Sequence, residues 1–101
     1  MEGAGIKAYV IVQETVKDEE MFAAYRNGVV ATLEEFGGRF VVRGGQLTVV
    51  EGEWPHPRLV VIEFPSRQAA EGWYRSPAYQ ELLPFRLRSS VGNLVVVDGP
   101  A

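Results

Sequence analysis

Three short segments of this chain are apolar at every position: Ala8 to Val12, Leu59 to Ile62 and Leu94 to Val97. β-Branched residues dominate them, so they read as strands. A strand with one face on a core and the other in water alternates apolar and polar side chains. These do not, so both faces of their sheet must be kept from water. The chain has only 101 residues. It can supply helices for one face and has too little left for the other. The simplest cover is a second copy, with two sheets stacked about a two-fold axis. A homodimer, or a dimer of dimers, is therefore expected. The alternative is a monomer whose outer face is shielded by residues 76–90.

The rest of the chain fits between these strands. Ile6 to Gln13 forms the first. Asp18 is placed to cap a helix, and Glu19 and Glu20 suit the positive end of its dipole. Phe22, Tyr25, Val29, Leu33 and Phe36 recur at spacings of three and four, one stripe of an amphipathic helix that ends at Gly37-Gly38. Arg39 to Arg43 and Gln46 to Glu51 are both strand-like, and Gly44-Gly45 is either a tight hairpin turn or, the favoured reading, a bend within one long strand. A loop follows at residues 52–57. Arg58 to Phe64 is the next strand, stopped by Pro65. Ser66 caps a second helix that runs to Tyr74, and Ser76-Pro77 restarts it to Leu83. Pro84 opens a further short turn through Arg88, Gly92-Asn93 is a turn, and the last strand follows. The order is βαββαβ. An α+β, ferredoxin-like domain, with a four-stranded antiparallel sheet and helices on one face, is the natural packing for residues 1–101.

Composition narrows the chemistry. There is no Cys, which removes disulfides, thiol catalysis and thiolate metal sites. One His excludes multi-histidine metal centres. No GxGxxG, GxxxxGK[ST] or HExxH is present, so no nucleotide or zinc site is indicated, and no metal or other cofactor is expected. A net charge of −3 argues against nucleic acid or an anionic membrane as partner. No stretch reaches the ~20 apolar residues of a membrane span, and residues 1–5 lack signal-peptide character, so a cytoplasmic location is expected.

Gly38-Arg39-Phe40-Val41-Val42-Arg43-Gly44-Gly45, Val50-Glu51-Gly52, Arg58 to Ser66 and Ala70 to Gln80 together resemble the domain-of-unknown-function 1330 family. Arg86 within Pro84-Phe85-Arg86-Leu87-Arg88 also fits, and the resemblance spans residues 6–98. It implies a dimeric α/β barrel of ferredoxin-like subunits, and it implies no particular activity. Lys17-Asp18-Glu19 departs from the Asp-Pro common there, which touches only the helix start. Relatives by fold include cofactor-free monooxygenases, haem enzymes and lactone isomerases, but a fold does not carry a function.

Two constellations are candidates for ligand binding. Arg43 and Glu63 are charges within apolar strands expected to be neighbours. They either pair across the strands or sit as rim charges at strand ends, or Arg43 is an anion clamp for a carboxylate, aided by the amides of Gly44 and Gly45, with Glu63 holding it in place or acting as a base if burial raises its pKa. Tyr25, Trp73 and Tyr79 would line a pocket between helices and sheet, with the tyrosine hydroxyls orienting a carbonyl or phenol; ordinary core packing is the plainer role. Tyr74 belongs with them. Ser66 is a helix cap and no nucleophile, His56 between two prolines is a surface residue, and Arg75, Arg86 and Arg88 read as a solvated basic face. Two functions stay open. One is a small-molecule binding barrel for an apolar or aromatic carboxylate or carbonyl compound, with or without catalysis. The other is a structural or regulatory dimerisation module. A haem enzyme lacks a supported histidine.

Overall fold

The computed structural model describes residues 5–101; the tail at Met1–Ala4 lies outside them. The elements are β1 (Ala8–Val16), α1 (Glu19–Glu34), β2 (Arg39–Arg43), β3 (Arg58–Phe64), α2 (Arg67–Arg75), α3 (Pro77–Ser89) and β4 (Ser90–Asp98). The strands form one sheet in the order β2-β3-β1-β4. Every neighbouring pair is antiparallel, with Val10 opposite both Ile62 and Val96. This is the ferredoxin-like architecture.

The two-residue period of a strand sorts the side chains. Ala8, Val10 and Val12 of β1 and Val60, Ile62 and Phe64 of β3 point to one face. They join Val29 and Leu33 of α1, Ala70 and Trp73 of α2, and Tyr79 and Leu83 of α3 in one buried cluster. The helices therefore cover a single face, as their apolar stripes require. Asp18 caps α1 by accepting from the Met21 amide at 3.0 Å, and Ser66 caps α2 by accepting from the Ala69 amide at 3.0 Å. The hydroxyl of Ser76 accepts from the Tyr79 amide at the start of α3.

The opposite face is half open. Ile11 and Val61 are partly covered, whereas Val91, Val95 and Val97 of β4 are exposed, Val95 by 53%. Residues 76–90 form α3 on the helical side and do not shield this face.

Three local expectations are corrected. Gln46 to Glu51 is no strand: β2 ends at Arg43, Gly44 turns away with φ +69°, and the segment that follows has no ladder partner among the described residues. Gly92-Asn93 is no turn, because β4 runs through it opposite Glu14 and Gln13. A side chain at residue 92 would collide with the Gln13 backbone carbonyl, so this glycine serves close strand approach. Pro84 does not interrupt the helix; α3 continues to Ser89. Pro84 and Gln80, whose carbonyl loses its helical donor there, are both exposed, where water can take up the lost bond.

Candidate functional site

Between the sheet and the helices lies a cavity of about 30 Å³, lined in part by Val12, Glu14, Tyr25, Phe40, Trp73 and Arg86. It is large enough for a water molecule or the polar head of a ligand. Arg43 and Arg58 also reach its wall. An open cleft of about 350 Å³ adjoins it, sharing Glu14 and Arg58 and bounded by Phe22, Gly44, Gly45 and Pro57.

The aromatic group expected from the sequence comes together. Tyr79 on α3 packs on Trp73 of α2 with ring centroids 4.1 Å apart, and meets Tyr25 of α1 edge-on at 6.0 Å. The hydroxyls of Tyr25 and Tyr79 share a hydrogen bond of 2.9 Å. Arg86 Nε, about two turns further along the same face of α3, donates to the Tyr79 oxygen at 3.2 Å. Burial, with the neighbouring Tyr79, drives the Tyr25 hydroxyl far above the usual phenol range. Burial also raises that of Tyr79 against the pull of Arg86. Both therefore remain neutral hydrogen-bond donors near pH 7. Trp73 Nε1 donates to Thr32 Oγ1 at 2.9 Å, which fixes the indole against α1.

Arg43 and Glu63 do not meet. Arg43 lies opposite Val60 and Glu63 opposite Arg39, and a register shift between Phe40 and Val42 accompanies that arrangement. The Arg43 guanidinium stacks on the Phe40 ring at 4.2 Å and donates to the Arg26 carbonyl at 3.3 Å, tying β2 to α1. Glu63 sits on the other face of the sheet. There it accepts from the Tyr9 hydroxyl and from Arg39 Nε, each at 2.9 Å, with Lys7 at 3.5 Å. The Tyr9 hydrogen bond, helped by Arg39 and Lys7, holds its carboxyl below the usual range. Of the two glycine amides expected to bind an anion, that of Gly44 donates to the Leu59 carbonyl at 2.8 Å. Gly44 instead leaves room for the Arg58 guanidinium, which a side chain there would strike.

Three residues that the sequence reading passed over complete the site. Glu14 is 2% exposed, and its Oε2 accepts from Arg58 Nε at 3.1 Å. Desolvation raises its carboxyl above the ordinary value, against the opposing pull of Arg58 and Arg86. Arg86 belongs to no solvated basic face, being 7% exposed. Arg58, half-buried, lies near the Phe22 ring at the boundary between cavity and cleft. The inward alternation Ala8, Val10, Val12 continues to Glu14, and the spacing Tyr79, Leu83, Arg86 is a helical stripe. Both signals vanish when β1 is ended at Gln13 and the last helix is broken at Pro84. His56 is less free than its flanking prolines suggest: its Nδ1 lies 3.0 Å from Thr15 Oγ1. Among the described residues no cluster of three or more His, Asp or Glu side chains is placed to hold a metal ion.

Solved structures share this architecture at low sequence identity. A protein of unknown function from Rhodopseudomonas palustris, RPA0582, superposes with a TM-score of 0.76 at 19% identity, covering 95% of this chain and 84% of its own. SnoaB, a cofactor-independent oxygenase from Streptomyces nogalater, gives 0.64 at 13% identity, covering 96% of each chain. A dimeric ferredoxin-like protein of unknown function from Jannaschia sp. CCS1 gives 0.60 at 16% identity, covering 94% of this chain and 99% of that one. No curated protein matches the sequence. The family model for the domain of unknown function DUF1330 matches residues 7–100, and the chain belongs to that family.

Proposed function

We propose that this protein is a homodimeric α/β barrel, each subunit of which binds a small apolar or aromatic carbonyl or carboxylate compound between its helices and its sheet. One observation carries the ligand. Arg86 is a buried guanidinium in the cavity wall that donates to Tyr79 and has no carboxylate within salt-bridge distance among the described residues. Glu14 attracts it from beyond that distance, so the guanidinium keeps donor capacity that no direct ion pair uses. A ligand oxygen beside it would supply a direct partner, with the neutral Tyr25 hydroxyl as a further donor. Trp73, Phe40, Val12 and Val29 supply an apolar surround. The polar head of a ligand fits the cavity and its body the adjoining cleft, whose volume lies in the range of small-molecule sites. SnoaB, a cofactor-independent oxygenase on the same fold, supports a site that works without a bound cofactor.

The dimer is supported by the exposed outer face of β4 and by Leu47, Val49, Val50 and Trp54, an apolar set beyond β2 that surrounds a cleft of about 390 Å³ next to Leu59. The Jannaschia relative is a dimeric ferredoxin-like protein. The small cavity favours a second reading, a dimerisation module without a ligand.

Melting curves with benzoate and acetophenone separate the two readings. Ligand that binds only the folded state raises the melting point by mass action. The binding barrel predicts a rise for the wild type and a smaller one for Tyr25→Phe, which keeps the ring and loses the donor. No rise with either compound would leave the dimerisation module.

A further inference from the structure

We infer that Glu14 is the acceptor for a ligand hydroxyl, so that the site selects carbonyl compounds that also carry a phenolic or enolic OH. The inference rests on the binding reading above and narrows it.

Two mismatched groups carry it. Glu14 Oε2 is held by Arg58, whereas Oε1 is buried and finds no hydrogen-bond partner among the described residues. A buried acceptor left empty carries its full desolvation cost. On the same cavity wall, the Tyr25 hydroxyl shares one hydrogen bond with the hydroxyl of Tyr79 behind it. Arg86 already donates into the Tyr79 oxygen, which favours sending the Tyr79 proton to Tyr25. The Tyr25 proton is then left over. The cavity thus presents one unused acceptor and one unused donor.

The ligand classes differ in what they do for this pair. A carbonyl oxygen accepts from Tyr25 and does nothing for Glu14. A carboxylate adds negative charge beside Glu14. A hydroxyl serves both, accepting from Tyr25 and donating to Glu14 Oε1, while a carbonyl on the same molecule faces Arg86. The route in is the cleft, which meets the cavity at Glu14 and Arg58. Arg58 stands at that boundary, held by Glu14 and near the Phe22 ring, with no side chain on the Gly44 side, so a rotation toward that glycine is the proposed way in. Val16, Phe22 and Pro57 then flank the body of the ligand.

Calorimetric titration of the whole protein with 3-hydroxyacetophenone, 3-methoxyacetophenone and acetophenone tests the assignment. The hydroxy compound is expected to bind about tenfold tighter than the other two, the worth of one buried hydrogen bond to a charged group. Glu14→Gln should erase that preference, because Arg58 takes the amide oxygen and leaves an NH2 where an acceptor stood. Circular dichroism checks the fold of the variant, and the comparison in the wild type decides the matter even if the variant fails to fold. Equal affinities in the wild type would overturn the role of Glu14 and leave the binding reading intact. Absence of binding by all three would overturn both.

Discussion

Glu14 and Glu63 show how burial and pairing push the same functional group in opposite directions. Glu14 loses water faster than Arg58 and Arg86 compensate, so its folded pKa lies above the ordinary 4.5. Its unfolded form releases the proton first as pH rises. The native state then holds more protons, and stability falls between 4.5 and the folded pKa. Glu63, bonded to Tyr9, Arg39 and Lys7, has a folded pKa below 4.5, and its contribution is present above 4.5 and is lost as pH falls through the folded value. Urea unfolding across pH 3–8 (about the range in which carboxylates titrate) should show Glu14→Gln removing a loss of stability on the alkaline side. Glu63→Gln should remove a loss on the acid side. Slopes of the same sign for both would contradict the two environments. Gly44 gives a third residue-scale test. Alanine there meets a left-handed backbone and displaces Arg58 from Glu14, and should cost about 1–3 kcal/mol in chemical denaturation. An unchanged midpoint would mean that Arg58 does not depend on that gap.

Among the elements, α1 and α2 are linked by a short polar chain. Trp73 Nε1 donates to Thr32 Oγ1, which donates to the Val29 carbonyl at 2.6 Å. Thr32→Val keeps the shape and orphans the indole N–H. A loss of about 1–3 kcal/mol in urea denaturation is expected, the cost of a buried donor without a partner. A neutral result would place water at the indole. The same scale shows what the sequence makes legible. The stripe Phe22, Tyr25, Val29, Leu33 repeats often enough to define α1 and its inward face, and Ser66 and Ser76 mark helix starts through a local hydrogen bond. Glu14 and Arg86 were hidden for the opposite reason. A charge at the end of an apolar run looks like the point where a strand reaches water, and a proline looks like the end of a helix. Only tertiary packing, with Gly92 bringing β4 against Glu14 and α3 continuing past Pro84, turns both charges inward. Arg43 and Glu63 show another limit: two charges on adjacent strands meet only when register puts them opposite on one face.

For the whole molecule, unbroken apolar strands led to two covered faces, and a single subunit covers one. The proposed dimer would bury Val91, Val95 and Val97. Val95→Glu should convert a dimer into a monomer by light scattering at micromolar concentration, since a charge buried in an apolar interface is strongly unfavourable. A wild-type protein already monomeric under those conditions would remove that part of the account. The proposed ligand site lies on the other side of the sheet and stands apart from this result. Its most direct test is an amide and guanidinium NMR spectrum of the protein titrated with 3-hydroxyacetophenone. The account predicts that the Arg86 Nε–H signal and the amides of Glu14, Tyr25 and Tyr79 move together, with one saturation curve. Shifts confined to the outer sheet face, with the Arg86 Nε–H signal unmoved at saturation, would contradict it.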